Sequence, residues 1–295
     1  MSNVALGRSR RTFAFGRRSA GDLAKRAAIY GVLSLGTIVV MVPFAWTLST
    51  ALKEPDDVYR FPIQWIPDPV VWSNFPTALS AYPFDLWLRN TLFIVLVSTL
   101  GILLSCSISA YSFARLRWPG RDQVFLLLLA TMMLPSQVTL VPTFILFRHL
   151  GWVNTFKPLM VPPFFARNAF YVFLMRQFFM TIPLEMDDAA RIDGAGFFGI
   201  YWRILLPMSK PVLAISAIMF SQFKWKEFMA PLIYLHDSDK YTVALGLRAF
   251  QGQYYGTDWN LMMAVNLVFM LPLIVVFYFA QRYFVQGIVV TGIKG

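Results

Sequence analysis

Six stretches of this chain run almost without interruption through apolar residues, and the segments between them collect prolines, glycines and charges. The stretches are Ala27–Leu52, Trp87–Ala114, Gln123–Phe147, Pro158–Phe179, Pro211–Leu235 and Trp259–Phe284. A helix rises 1.5 Å per residue, so about 20 apolar residues cross the ~30 Å hydrocarbon core of a bilayer. Each stretch meets that length, and none alternates in polarity as barrel strands do. Hydrocarbon tolerates only backbones that satisfy their own hydrogen bonds, which leaves helices. The pattern predicts an all-α membrane protein with six transmembrane helices. Residues 27–285 form its single membrane domain, with a core from about 86 to 285, a basic tail at 1–26 and a short tail at 286–295.

The charges orient this bundle. Arg8, Arg10, Arg11, Arg17, Arg18, Lys25 and Arg26 precede the first stretch; Arg115, Arg117 and Arg121 follow the second; Arg176, Arg191, Arg203 and Lys210 surround the loop after the fourth. The alternate loops carry fewer for their length: Lys53 and Arg60, Arg148 and Lys157, Lys240 and Arg248. Cytoplasmic loops are the basic ones, so both termini are expected inside, N-in and C-in. The first stretch is too long for a cleaved signal segment and ends at no small-residue cleavage site, so it reads as an uncleaved helix. Composition agrees, with 57% hydrophobic and 14% charged residues and a mean hydropathy of +0.57, well outside the balance of a soluble domain. A net charge of +11 would suit a nucleic-acid binder, but basic residues that track the loops describe membrane topology instead. Cys106 is the only cysteine and lies in an apolar stretch, so no disulfide framework or thiolate metal site is available. His149 and His236 fall in expected outer loops and read as structural.

Prolines punctuate both loops and stretches. The first outer loop, Lys53 to Phe84, holds Pro55, Pro62, Pro67, Pro69, Pro76 and Pro83 with Trp65 and Trp72, which predicts an ordered, irregular segment at the outer interface. Pro43, Pro135, Pro142, Pro162, Pro163 and Pro272 lie within the stretches and predict kinks. Gly101, Ser105 and Ser109 recur at four-residue spacing and allow a neighbouring element to approach closely.

The one long inner segment spans 182–210. Pro183 opens a helix whose first turn carries Glu185, Asp187 and Asp188, as the helix dipole favours, and Gly194 ends it. A second short helix, Phe197 to Leu206, leads to Pro207 and Pro211 before the membrane is re-entered. Such a surface projection is suited to transmitting force. Gly194-Ala195-Gly196-Phe197-Phe198-Gly199 matches GxGxxG, but an acidic helix precedes it in place of a strand, and no ribose-binding carboxylate follows at about 20 residues. No Walker lysine, HExxH or Ser/His/Asp set is present, so the reading is a non-enzyme with no cofactor or metal of its own.

The run Asp188-Ala189-Ala190-x-x-Asp193-Gly194-Ala195, followed by Ile204-x-Leu206-Pro207, resembles the "EAA" loop of binding-protein-dependent ABC permeases. Asn90-Thr91, the Ala110–Leu116 run, Trp118-Pro119-Gly120-Arg121, Leu134-Pro135-Ser136-Gln137, Pro142, the Leu150–Thr155 run, the Gln281–Gly287 run and Lys294-Gly295 extend the resemblance across nearly the whole chain. Together they resemble the maltose-type G permease of sugar importers. That resemblance implies a type I ABC importer permease fold with a cytoplasmic coupling helix, in the inner membrane of a prokaryote, carrying a sugar or sugar derivative. It implies a homologous second permease, two cytoplasmic ATPases that bind the ATP and magnesium, and an extracytoplasmic solute-binding protein. It assigns ATPase coupling to Asp188, Ala189, Ala190, Asp193, Gly194, Ala195, Leu206 and Pro207: the alanines for close packing on the ATPase, Asp188 for one of its basic residues, Gly194 for the turn. Asp188 is a departure, one methylene shorter than the family's usual glutamate. The tail from Gln286 to Gly295 either reaches between the ATPases or is a frayed end.

Ionisable residues at membrane depth mark a pathway, an interface or an ion pair. Lys224, Lys226 and Glu227 interrupt the fifth stretch and Arg167 lies near the middle of the fourth. Lys224 and Glu227 are three apart and can pair. Lys226 stands where the resembling family commonly has asparagine; it either biases the pathway toward anionic or phosphorylated solutes or snorkels to the interface. Gln137, Gln222, Lys224, Trp225, Glu227 and Asn266 are the candidate pathway residues, able to hydrogen-bond a polyol or stack on a sugar ring; helix packing explains them equally. The competing function class is an ion-coupled secondary transporter that works without an ATPase, with Lys224, Glu227 and Arg167 as its relay.

Overall fold

The computed structural model describes residues 20–251 and 257–292. Arg8, Arg10, Arg11, Arg17, Arg18 and the terminal Lys294-Gly295 lie outside them. Among the described residues the chain is all-helical, apart from one isolated bridge between Gln251 and Thr257. Three helices are long and apolar enough to cross a bilayer unaided: α1 (Ala20–Ala51), α3 (Phe84–Arg115) and α14 (Trp259–Gly292). A short helix, α2 (Asn74–Ala81), lies between the first two, and a single turn, α13 (Val243–Gly246), precedes the last.

The other expected spans are interrupted, the third and fourth where prolines remove backbone donors. The third is split into α4 (Arg121–Ala130) and α5 (Ser136–His149), bent by 102° around Pro135. The fourth, expected as one helix from Pro158 to Phe179 kinked at its prolines, is instead one turn α6 (Lys157–Met160), a 3-10 turn Pro162–Phe165, and α7 (Ala169–Thr181). Pro162 and Pro163 lack donors, Ala166 adopts φ +49°, and the Asn168 side chain caps α7 by accepting from the Phe170 amide. The fifth stops after α11 (Lys210–Trp225) and resumes as α12 (Met229–Tyr234). Pro43, Pro142 and Pro272 stay inside α1, α5 and α14. Up to five spans are counted if each sharply bent helix pair is one crossing.

The central element is α3, which packs on α7, α11 and the Pro162–Phe165 turn. Its Gly101 and Ser105 explain how a non-helical turn reaches the bundle interior. A Cβ on Gly101 would sit 2.5 Å from the Phe164 ring, so only glycine admits that ring. Ser105 Oγ donates to the Pro163 carbonyl at 2.7 Å and Ser98 Oγ to the Leu159 carbonyl at 3.1 Å. These hydroxyls satisfy carbonyls that the broken helix leaves open, as a lipid environment requires. One core, toward the Arg115 end of α3, gathers Ile102, Cys106, Tyr171, Met175, Phe179, Tyr201 and Leu205, and a second, toward its Phe84 end, gathers Ala51, Trp87, Trp225, Ala264 and Phe269. At the C-terminal end of α1, Asn74 donates to the carbonyls of Ala51 and Lys53 at 3.0 and 2.8 Å, closing the helix where its last acceptors are free.

Candidate functional site

The segment after α7 folds into α8 (Glu185–Ile192), a turn, and a helical rod made of α9 (Phe197–Ile200), a π-helical turn Tyr201–Leu205 and α10 (Leu206–Met208). Three acids occupy the first turn of α8 and Arg191 its last, which matches the helix dipole at both ends. Gly194 ends the helix at φ +81°, a left-handed conformation that disfavours any side chain. The rod meets α11 at a 75° bend beside Ser209.

This segment is held to the bundle by one stripe of α3. Ser107, Tyr111 and Arg115 recur every four residues and therefore share a face. Ser107 Oγ and the Tyr201 hydroxyl lie 2.7 Å apart, the Tyr111 hydroxyl donates to the Phe197 carbonyl at 2.9 Å, and the two tyrosine rings stand 5.3 Å apart. Arg115 Nη2 donates to the carbonyls of Phe179 and Ile182 at 2.9 and 2.7 Å, capping the end of α7. Its Nε lies 3.7 Å from Asp187 Oδ2, and both side chains are nearly solvent-free, 2% and 4% exposed. A single face of one helix thus fixes the start of α8, the start of α9 and the π turn.

The sequence-predicted coupling residues divide by face. Asp188, Ala189, Asp193, Gly194 and Pro207 are exposed, and Ala195 is half-buried. Ala190 is buried, which corrects the expectation that it packs on a partner: it lies three residues from Asp187, on the face that Arg115 draws inward. Leu206 packs against the core at the Arg115 end of α3. Asp188 lies 3.6 Å from Arg191 of its own helix. Around this exposed face stand Leu184, Ile192, Phe197, Phe198 and Trp202, with Ile192 87% exposed. The residues that sequence reasoning missed are Ser107, Tyr111, Arg115 and Asp187. The four-residue spacing before Arg115 was the available signal.

At its other end α3 grips a second loop. Trp87 Nε1 donates to the Ser238 carbonyl at 2.8 Å, Asn90 donates to the carbonyls of Asp239 and Tyr241, and Thr91 Oγ1 accepts from the Val243 amide at 3.0 Å. The same loop is clasped by Asn154, which donates to Asp237 Oδ2 at 2.7 Å and accepts from the amides of His236 and Asp237. Lys240 and then Asn154 hold the Asp237 carboxyl below the usual carboxylate range.

The pathway candidates are brought together only in part. Lys224 and Glu227 form an ion pair at 2.7 Å across the break after α11, and Gln222 precedes it, half-buried. Trp225 is buried, stacked on Phe269 at 5.1 Å and donating to its carbonyl at 3.2 Å; its ring is used in helix packing, which corrects its reading as a sugar-stacking face. Asn266 is half-buried on α14, and Gln137 is exposed on α5. Arg167 sits in the break before α7 and makes no ion pair or hydrogen bond among the described residues, so it does not join Lys224 and Glu227 in a relay.

Comparison with known proteins decides the family. The model of the binding-protein-dependent transport system inner membrane component family matches residues 98–290, more than half of the chain. The chain belongs to that family. It is 31% identical over 272 residues to the probable ABC transporter permease protein YurM of Bacillus subtilis, covering 91% of this chain and 88% of that one. It is also 31% identical over 265 residues to the sn-glycerol-3-phosphate transport system permease protein UgpE of Yersinia pestis, covering 88% and 94%. Against the arabinooligosaccharides transport system permease protein AraQ of Halalkalibacterium halodurans the identity is 35% over 209 residues, covering 71% and 74%. The fold matches a bacterial ABC transporter involved in the import of the acidic polysaccharide alginate, with a TM-score of 0.79 at 22% identity, over 90% of this chain and 98% of that one. As a binding-protein-dependent permease the chain is a multi-pass, non-catalytic membrane subunit of an importer, and its relatives include an sn-glycerol-3-phosphate permease and an arabinooligosaccharides permease.

Proposed function

We propose that this chain is one of two permeases in an ATP-driven importer of a sugar or sugar derivative, in a prokaryotic inner membrane. The solute passes between it and a homologous second permease in a six-span, N-in and C-in topology, after delivery by an extracytoplasmic binding protein. Two cytoplasmic ATPases bind the ATP and magnesium, and one of them grips the exposed face of α8 with Asp188 and Ala189 and the turn at Asp193 and Gly194. The observation that carries this reading is the contrast between the two faces of α8. One is locked to α3 through the buried Arg115–Asp187 pair; the other exposes apolar Ile192 beside charges, with Phe197 and Phe198 of α9 also exposed. An exposed apolar patch rimmed by charge marks a protein interface. A displacement of α8 would pass into α3 rather than dissipate in a loose loop, and α3 would carry it to the Ser238–Val243 loop at its far end.

Site-directed crosslinking tests the reading. Ala189→Cys or Ile192→Cys, in a complex purified through a tag on this chain, should crosslink to a co-purifying ATP-hydrolysing subunit. Absence of any such subunit, or solute uptake driven by an ion gradient without ATP, contradicts it and favours the ion-coupled transporter.

A further inference from the structure

Arg167 stands in a place that membrane physics makes hard to leave empty. The next residue, Asn168, accepts a contact from Cys106 Sγ at 3.8 Å through its carbonyl, and Cys106 lies nine residues before Arg115 on α3. At 1.5 Å per residue Arg167 is ~14 Å from the Arg115 end, near the middle of a ~30 Å hydrocarbon core. Guanidinium does not lose its proton, and from mid-depth its side chain reaches neither interface. Yet Arg167 is exposed and has no ion pair or hydrogen bond among the described residues.

The backbone beside it makes the same point independently. Pro162–Phe165 is a 3-10 turn, Ala166 is left-handed and Asn168 is extended. Non-helical backbone at this depth is tolerated only inside protein or along a water-filled cavity, and here Phe165 is 77% exposed. A second interruption, Lys226–Phe228, precedes α12. There Lys226 is exposed, unlike the closed Lys224–Glu227 pair beside it. Lys226 lies ~24 Å along the fifth segment from Lys210, in the far third of the membrane. Two uncompensated cations therefore sit at two helix breaks, one toward the mouth and one midway.

We infer that these breaks line an anion-selective translocation path, with Arg167 meeting a carboxylate, phosphate or sulfate group on the solute. The inference rests on the importer reading and adds the charge class of the cargo. Arg167 is the better reader of such a group because its fork of N–H donors matches an oxyanion's geometry.

The test places a reporter thiol at Phe165→Cys in the purified complex in nanodiscs, with the parent chain and its buried Cys106 as background. An anionic and a cationic methanethiosulfonate reagent are compared with their rates on a free thiol. The anionic reagent should be favoured about tenfold, Arg167→Gln should abolish most of that preference, and Arg167→Lys should keep it. No reaction with either reagent would place the site against lipid or sealed protein and overturn the inference. Reaction without charge preference would mean that a partner carboxylate neutralises Arg167, and would overturn it too. ATP hydrolysis by the same preparation is scored separately: if it is present while the preference is absent, the importer reading stands and the anionic one falls.

Discussion

Replacing Asp187 with leucine removes the carboxylate that answers Arg115 and leaves a guanidinium buried at the root of the α8 projection. At 3.7 Å and an effective dielectric near 20, the attraction between the two charges is about 4.5 kcal/mol. Removing one partner of a buried pair generally costs ~3–5 kcal/mol, and Arg115 keeps its bonds to the Phe179 and Ile182 carbonyls. The low end applies, ~3 kcal/mol, which lowers the docked population of α8 by about 150-fold relative to the undocked one. Hydrogen exchange over residues 184–195 in the purified complex should quicken accordingly, and solute uptake per ATP hydrolysed should fall while membrane insertion persists. The double variant Arg115→Met with Asp187→Leu exchanges the pair for apolar packing and should recover most of the protection, since buried pairs often contribute little net stability over a well-packed hydrophobic pair. Unchanged exchange and normal coupling in Asp187→Leu alone would refute the idea that this pair anchors the loop.

The remaining predictions concern single contacts. At Gly194, where open space surrounds the α-carbon but φ is +81°, alanine should cost ~1 kcal/mol, asparagine less and valine more, with coupled uptake falling from asparagine through alanine to valine. Gly101→Leu should destabilise by at least ~2 kcal/mol because the Phe164 ring occupies the space, and Phe164→Ala should relieve part of the loss in a thermal unfolding scan. Tyr111→Phe should cost about 1 kcal/mol through the lost bond to Phe197, read as local exchange near the start of α9. Asp237 is depressed in the folded state by Lys240 and then Asn154, so the clasp it makes is fully present above the usual carboxylate range near pH 4 and is lost as pH falls through its lower folded value. Exchange at residues 236–241 should quicken in that acid window, and Asp237→Asn should remove the pH dependence.

The all-helical character and the amphipathic inner segment were legible because both rest on local signals: unbroken apolar length in one case, an acidic first turn and a terminal glycine in the other. The Lys224–Glu227 pair was legible from its spacing alone. What local signals missed was anything that depends on which face turns inward. Ala190 looked like an interface residue until the pull of Arg115 on Asp187 decided the face of α8. The fourth span, expected as a single kinked helix, failed for a related reason. Its apolar composition suits a helix, whereas Pro162, Pro163 and the left-handed Ala166 break it, and Gly101 and Ser105 from a distant helix make that break tolerable. Trp225 reads as a sugar platform in sequence, and only its stack on Phe269 shows that the ring is already occupied.

The stripe Ser107, Tyr111 and Arg115 bears on how this protein is recombined with its relatives. An inner segment grafted from another permease at residues 182–210 would arrive with its own carboxylate and aromatic rings but find a host helix whose hydroxyl, phenol and guanidinium are set for different neighbours. Chimeras cut ahead of Ser107 and behind Met208 move both halves of the joint as one unit and should keep their drive; those cut at the segment's visible ends should not.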